Sequence, residues 1–128
     1  MAGKIIADQI EHSTAGSLDT SYVVNGSAKH WVNFDGGVTT PSVIEGLNSS
    51  SITDNGSGDY SVSLGSSMSS STYGRLVSHN DAIYGGMSYF HGSTGTSSLY
   101  RVLARQGHVT TPPLQDTDMF AALFGDLA

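Results

Sequence analysis

The sequence predicts an all-β protein: an antiparallel β-sandwich of jelly-roll-like type with an extended N-terminal arm and a short C-terminal helix. Short apolar runs alternate with serine and threonine, and Gly, Asn and Asp interrupt them every few residues, which is typical of strands joined by tight turns. The 128 residues are enough for one domain with a modest core. We divide the chain into an arm over residues 1–27, a β-sandwich domain over 28–110 and a Pro-linked helical tail over 111–128.

The N-terminal section contains few apolar residues and follows no regular period. Ile5, Ile6 and Ile10 fit neither a helix nor a strand, whereas residues 21–24 have the composition of a strand. Such a section cannot bury enough surface to fold alone, so we expect it to become ordered by pairing with other chains or by lying on the main domain. The alternative is a mobile terminus.

Two strand-and-turn segments, residues 29–37 and 50–62, form the most informative part of the chain. The first contains Trp31, the single tryptophan, which we expect to anchor the core. In the second, Ile52 precedes a turn rich in Gly, Asn and Asp, after which apolar residues alternate with serines. This pattern predicts a β-hairpin whose second strand has one apolar face and one hydroxyl face.

Residues 29–77 resemble a β-domain of tail-fibre and related appendage proteins of tailed bacteriophages, especially aquatic ones. The resemblance rests on Trp31-Val32-Asn33-Phe34 and on the run from Ser50 through Asp54-Asn55-Gly56 to Val62, followed by a Met and a Tyr. It implies a non-enzymatic structural protein of the virion, assembled in the host cytoplasm. Such domains form trimers, so the implied partners are further copies of the chain, neighbouring tail or capsid proteins, and the host surface.

Two alternatives to a tail-fibre module remain open. A capsid decoration protein, of the cement or head-fibre kind, is one, because a short chain with an arm and a docking tail suits a unit that bridges capsomers. A carbohydrate-binding module that binds a host surface glycan is the other.

The strands expected after the hairpin are short and lie over residues 73–78, 83–84, 87–91 and 98–104. The last of them has apolar residues on both faces, which predicts a strand that is covered on both sides.

The composition argues against several classes of protein. Charged residues make up 12% of the chain, against ~25% in ordinary globular proteins, and a low-charge, hydroxyl-rich surface suits identical chains that pack closely. A net charge of −6 with five Lys and Arg argues against nucleic-acid binding. No run approaches the ~20 apolar residues of a membrane-spanning helix, so we expect no membrane insertion. The sequence has no cysteine and hence no disulfide.

We expect no enzymatic activity, no metal and no cofactor. The five histidines lack zinc-site spacing, although His30 and His91 could converge from two strand ends. The sequence contains no Gly-x-Ser-x-Gly elbow and no Gly-rich phosphate-binding motif. Residues 54–59 predict a hairpin turn rather than a Ca²⁺ loop, because the bidentate acid is missing. Asp116 and Asp118 are expected to cap a helix rather than to act as paired acids.

Two groups of residues are candidates for intermolecular contact. Tyr84, Tyr89, Phe90 and His91 lie beside Gly-rich loops and are of the amphipathic kind that stacks on sugars, with core and interface packing as the alternative. The predicted tail helix, residues 119–124, is too short to be stable alone and must dock, either on its own domain or on a neighbouring protein. Its expected assembly contacts are Met119, Phe120, Leu123 and Phe124.

Overall fold

The computed structural model describes residues 3, 6–79, 86–92, 95–107 and 113–128. These parts of the chain are mostly antiparallel β-structure and contain one short helix, α1. The elements in chain order are β1 (Gln9–His12), β2 (Gly16–Asp19), α1 (Thr20–Gly26), β3 (Ala28–Asp35), β4 (Ser42–Leu47), β5 (Ser49–Gly56), β6 (Asp59–Leu64), β7 (Gly74–His79), β8 (Met87–Phe90), β9 (Leu99–Arg105) and β10 (Met119–Phe124).

The strands form three sheets. β1 and β2 make a separate two-stranded sheet. We call the four-stranded sheet with the order β4-β3-β10-β7 the first sheet, and the four-stranded sheet with the order β5-β6-β9-β8 the second sheet. Every strand pair is antiparallel. The predicted antiparallel all-β class is therefore confirmed, whereas this strand order does not establish the jelly-roll topology.

The core is one cluster of side chains contributed by both four-stranded sheets. Alternate residues of the inner strands point into it, as the two-residue period of a strand requires. Phe34 of the first sheet meets Tyr60 of the second edge to face, with ring centroids 5.2 Å apart. The buried members are Val32, Phe34, Tyr60, Val62, Leu64, Met68, Tyr73, Tyr100, Val102, Ala104, Met119, Ala121 and Leu123.

The predicted hairpin is confirmed in β5 and β6, where Ile52 pairs with Val62. Its turn contains Gly56 and Gly58, both at positive φ. The carboxylate of Asp116 accepts hydrogen bonds from the Gly58 amide at 2.6 Å and from the Ser57 hydroxyl at 3.3 Å. Asp116 therefore caps this turn, and the predicted helix-capping role is wrong.

The predicted C-terminal helix is also wrong, because residues 119–124 form β10, a central strand between β3 and β7. An isolated helix of this length would leave most of its apolar surface in water. As a strand, the same residues pair on both edges and bury one face in the core. The tail is thus an integral part of the first sheet.

Trp31 is not a core residue, contrary to the prediction from its size. The inward positions of β3 belong to His30, Val32 and Phe34, all fully buried. Trp31 has the opposite parity and lies partly buried on the outward face of the first sheet.

The N-terminal section forms the β1–β2 hairpin followed by α1, so an extended arm is not confirmed and residues 21–24 are helical rather than a strand. The Thr20 amide donates a hydrogen bond to the Asp8 carbonyl at 2.8 Å, which ties α1 to the start of β1. Nζ of Lys29 donates to the carbonyl of Val24 near the C-terminus of α1, where a positive charge is favourable.

Candidate interaction surfaces

The outward face of the first sheet presents a line of apolar side chains that crosses all four strands. Leu47 pairs with Trp31, Trp31 with Ala122, and Ala122 with Leu76. We call these four residues the apolar row. Leu47 is 50% exposed and Leu76 is 53% exposed, so the two ends of the row face solvent. Between these ends, Ala122 is only 3% exposed and Trp31 is partly buried.

A second uncovered apolar surface lies on residues 9–26, which we call the N-terminal unit. None of the residues of β2 or α1 is buried. Tyr22 is 68% exposed and Ile10 is 54% exposed. Its other large exposed apolar residues are Leu18, Val23 and Val24.

The outward face of the second sheet differs in that it carries charged and aromatic side chains together. We define this polar face by Asp59, Tyr89, His91, Arg101 and Arg105. The strand register explains the grouping, because Tyr89 pairs with Leu103, midway between the two arginines on β9.

Asp59 and Arg101 form a two-pronged ion pair at the centre of the polar face, in which Nε and Nη2 of the arginine donate to the two carboxylate oxygens. Asn55 supports the pair by donating to Asp59 at 3.3 Å and to the Ser61 hydroxyl at 2.8 Å. The hydrogen bonds from Arg101 hold the pKa of the Asp59 carboxyl below its ordinary value. Both groups therefore stay charged at neutral pH.

Tyr89 and Arg105 form a second pair on the polar face. Nε of Arg105 donates to the Tyr89 hydroxyl at 2.5 Å, and its guanidinium carbon lies 5.8 Å from the centroid of the Tyr89 ring. The contact holds the ring in place. A fixed aromatic ring beside cationic and hydroxyl groups can stack on a flat apolar face of a ligand and donate hydrogen bonds to its edge.

His91 follows β8, and its amide donates to the Arg101 carbonyl at 2.9 Å, which continues the register of β8 along β9. Its Nδ1 is buried without a hydrogen-bond partner among the described residues. His91 also contributes, as the smallest cause, to the lowered pKa of Asp59, so the two side chains are near neighbours.

The residues that were predicted to make surface contacts lie on different sides of the second sheet, because successive side chains of a strand point to opposite faces. Tyr89 and His91 lie on the polar face. Phe90 points to the other side, where its ring lies 5.4 Å from that of Tyr100 and packs against the core. Tyr84 lies outside the described residues.

The residues that were predicted to make assembly contacts also lie on two different faces, those of the first sheet. Met119 and Leu123 are fully buried in the core. Phe120 and Phe124 have the opposite parity on β10 and are partly buried on the outward face, with Phe120 paired to Asn33 and Ser78. Of the four residues, only these two phenylalanines border the apolar row.

The described residues contain no group of three or more His, Cys, Asp or Glu that could hold a metal ion. His30 and His91 do not converge, since His30 is hydrogen-bonded to Tyr100 in the core and His91 lies beside Arg101 on the polar face.

A small cavity is lined by His79, Gly86 and Thr117 among others. His79 there is bonded through Nδ1 to the Ser88 hydroxyl at 2.5 Å.

The sequence interpretation missed the ion pair at Arg101. One signal was available, because Arg101 lies between Leu99 and Leu103 on one face of a strand predicted to be covered on both sides. A charge in that setting needs a partner. The sequence could not identify Asp59 as that partner, since the two residues are 42 positions apart.

Comparisons of the chain with protein families, with characterised proteins and with solved structures give no match. In the part of the chain that the structure describes, no helix has the length and apolar character needed to span a membrane.

Proposed function

We propose that this chain is a non-enzymatic structural protein of a tailed-phage virion, a tail-fibre-like β-sandwich module that assembles as a homotrimer. The phage origin is supported by the resemblance of residues 29–77, with its dense run over residues 52–62. The assembly is supported by a separate observation, the exposed apolar side chains of the N-terminal unit and of the two ends of the apolar row.

The observation that carries the proposal is the exposure of the N-terminal unit. It consists of a two-stranded hairpin and a helix of seven residues. Hairpins and helices of this size are marginally stable in water unless they pack on something larger. An assembly of several chains supplies that packing, and the low content of charged residues favours close contact between identical chains.

The test is the mass of the protein in solution, measured by light scattering. We expect a particle of three times the 13.3 kDa chain mass, and the mass of a single shortened chain after removal of residues 1–26. A full-length chain that stays monomeric over the accessible concentration range would contradict the trimer.

The position in the virion is decided by copy number. A tail-fibre module belongs to a handful of fibres, whereas a capsid decoration protein occupies many equivalent places on an icosahedral shell. Quantitative mass spectrometry of purified particles that contain the chain distinguishes the two, since a few copies favour the tail and hundreds favour the capsid.

The polar face favours one second candidate function, the binding of a carbohydrate. Tyr89 offers a ring held in place by Arg105, and the partly exposed Arg101 lies on the same face. On a glycan array, Tyr89→Ala should abolish binding, while the control Val38→Ala, at an exposed position outside the N-terminal unit and the apolar row, should retain it. Equal binding by both variants, or no binding by the native protein, would dismiss this candidate.

A further inference from the structure

We propose that the N-terminal unit of one copy packs on the apolar row of a neighbouring copy. This inference rests on the trimer proposed above and specifies its interface. The occupant of the row is thus a second copy of this chain, through its β1–β2 hairpin and α1.

The hairpin of the N-terminal unit has one face suited to such a contact. Ile10 pairs with Leu18, so these two side chains share a face. The neighbouring pairs, Gln9 with Asp19 and Glu11 with Ser17, share the opposite face. The hairpin therefore separates its apolar residues from its acidic ones, as a strand pair does when one side is covered and the other is in water.

The apolar row is the matching surface. Its four members, Leu47, Trp31, Ala122 and Leu76, carry no charge, and the adjoining outward positions include Phe120 and Phe124. Packing the Ile10–Leu18 face on this row brings apolar side chains together, while Glu11 and Asp19 stay in solvent and Glu45 lies beside Leu47 at the edge of the contact. Large aromatic side chains such as Trp31 commonly dominate the binding free energy of an interface.

The connection between α1 and β3 favours a neighbouring copy over the same chain. Only Ser27 separates the end of α1 from the start of β3, and one residue spans at most ~3.6 Å. Lys29 further holds the carbonyl of Val24. The N-terminal unit is thus held at one end of β3 and has little chain with which to fold back across its own row.

The symmetry of a closed ring agrees with this arrangement. A cyclic trimer needs two different surfaces that meet head to tail, and the chain displays two. Four strands spaced ~4.8 Å apart, with about six residues rising ~3.3 Å each, present roughly 400 Å². In a ring each interface joins one such surface to one N-terminal unit, so it covers about this area on each partner, roughly half of the ~800 Å² per partner of a standard interface, and ring closure supplies three of these interfaces.

The single tryptophan makes the contact measurable, because Trp31 lies within the row. The test variant is Ile10→Ser with Leu18→Ser, and the matched control is Gln9→Ala with Ser17→Ala on the opposite face of the same hairpin. For each full-length protein we would measure the mass by light scattering and the quenching of tryptophan fluorescence by acrylamide. We expect the test variant to become monomeric with a several-fold rise in quenching, and the control to match the native protein.

The other outcomes overturn the proposal in different ways. Increased quenching in the test variant without a change of mass means that the unit covers the row of its own chain. A test variant that remains trimeric with unchanged quenching means that another surface forms the trimer, so this inference fails while the trimer stands. A native protein that is monomeric removes the trimer itself.

Discussion

The side chains of His30 and Tyr100 join the two four-stranded sheets inside the core, with Nε2 of His30 2.6 Å from the Tyr100 hydroxyl oxygen. Nδ1 of His30 lies 3.2 Å from the Asn48 carbonyl oxygen, which can only accept, so Nδ1 carries the proton. Nε2 then accepts from the tyrosine hydroxyl. Both rings are fully buried, and the bond therefore fixes a neutral histidine in one tautomer.

The protein should lose stability under mildly acidic conditions because of His30. Burial lowers the pKa of its imidazole from the ordinary value of 6.5. Below about pH 6.5, His30 is therefore protonated in the unfolded chain but stays neutral in the folded protein. As the pH falls through this range, the free energy of unfolding decreases by up to ~1.4 kcal/mol per pH unit. Urea unfolding at pH 7.5 and 5.5 would measure this loss.

The control for this prediction is the comparison of two glutamine variants. His30→Gln should reduce the difference in unfolding free energy between pH 7.5 and 5.5, because it removes the buried imidazole. His91→Gln should leave most of the difference in place. An equal loss of stability in the native protein and His30→Gln would assign the acid sensitivity to other groups.

Tyr100→Phe should lower the free energy of unfolding by ~1–3 kcal/mol at pH 7.5, since it leaves Nε2 of His30 buried without a donor. The comparison variant is Tyr73→Phe, which removes a hydroxyl that donates to the Thr96 carbonyl at 2.9 Å near the surface. Chemical denaturation should rank Tyr100→Phe as the more damaging change. The reverse order would mean that the His30 contact contributes little.

Arg101→Ala should destabilise the protein more than the removal of an ordinary surface charge. Asp59 is buried, and its carboxylate would lose its main partner. The Arg101 side chain is 30% exposed, so solvent screens part of the effect, and we expect a measurable but partial loss of stability. A double-mutant cycle with Asp59→Asn measures the coupling, and a coupling near zero would contradict a stabilising pair.

Gly58→Ala should cost more stability than Gly56→Ala in the same turn. Both glycines have positive φ, which alone costs roughly 1–3 kcal/mol for a residue with a side chain. A Cβ at Gly58 would also lie 2.4 Å from the Gln115 nitrogen and 2.5 Å from the Ala104 oxygen, whereas one at Gly56 meets open space. Thermal unfolding compares the two variants, and equal losses would mean that the 113–118 segment moves aside freely.

The candidate surfaces were only partly predictable. Tyr89 and His91 could be selected by residue type, but Phe90 between them points into the core because successive side chains of a strand alternate. The apolar row could not be predicted, since its members come from four strands whose pairing no local pattern reveals. The hairpin and helix of the N-terminal unit were not predicted, because its apolar residues follow no regular period, and its dependence on other chains stays a prediction.

By itself, the sequence determined the antiparallel β class and the β5–β6 hairpin, because alternation and turn residues are local signals. Only the tertiary structure decided that residues 119–124 form a strand and that Trp31 faces outward. β10 is apolar on both faces, which erases the alternation that identifies a strand, and its partners in β3 and β7 lie far away in the chain. Likewise, the parity of β3 depends on which face meets the second sheet, and that is settled by packing rather than by the size of the tryptophan.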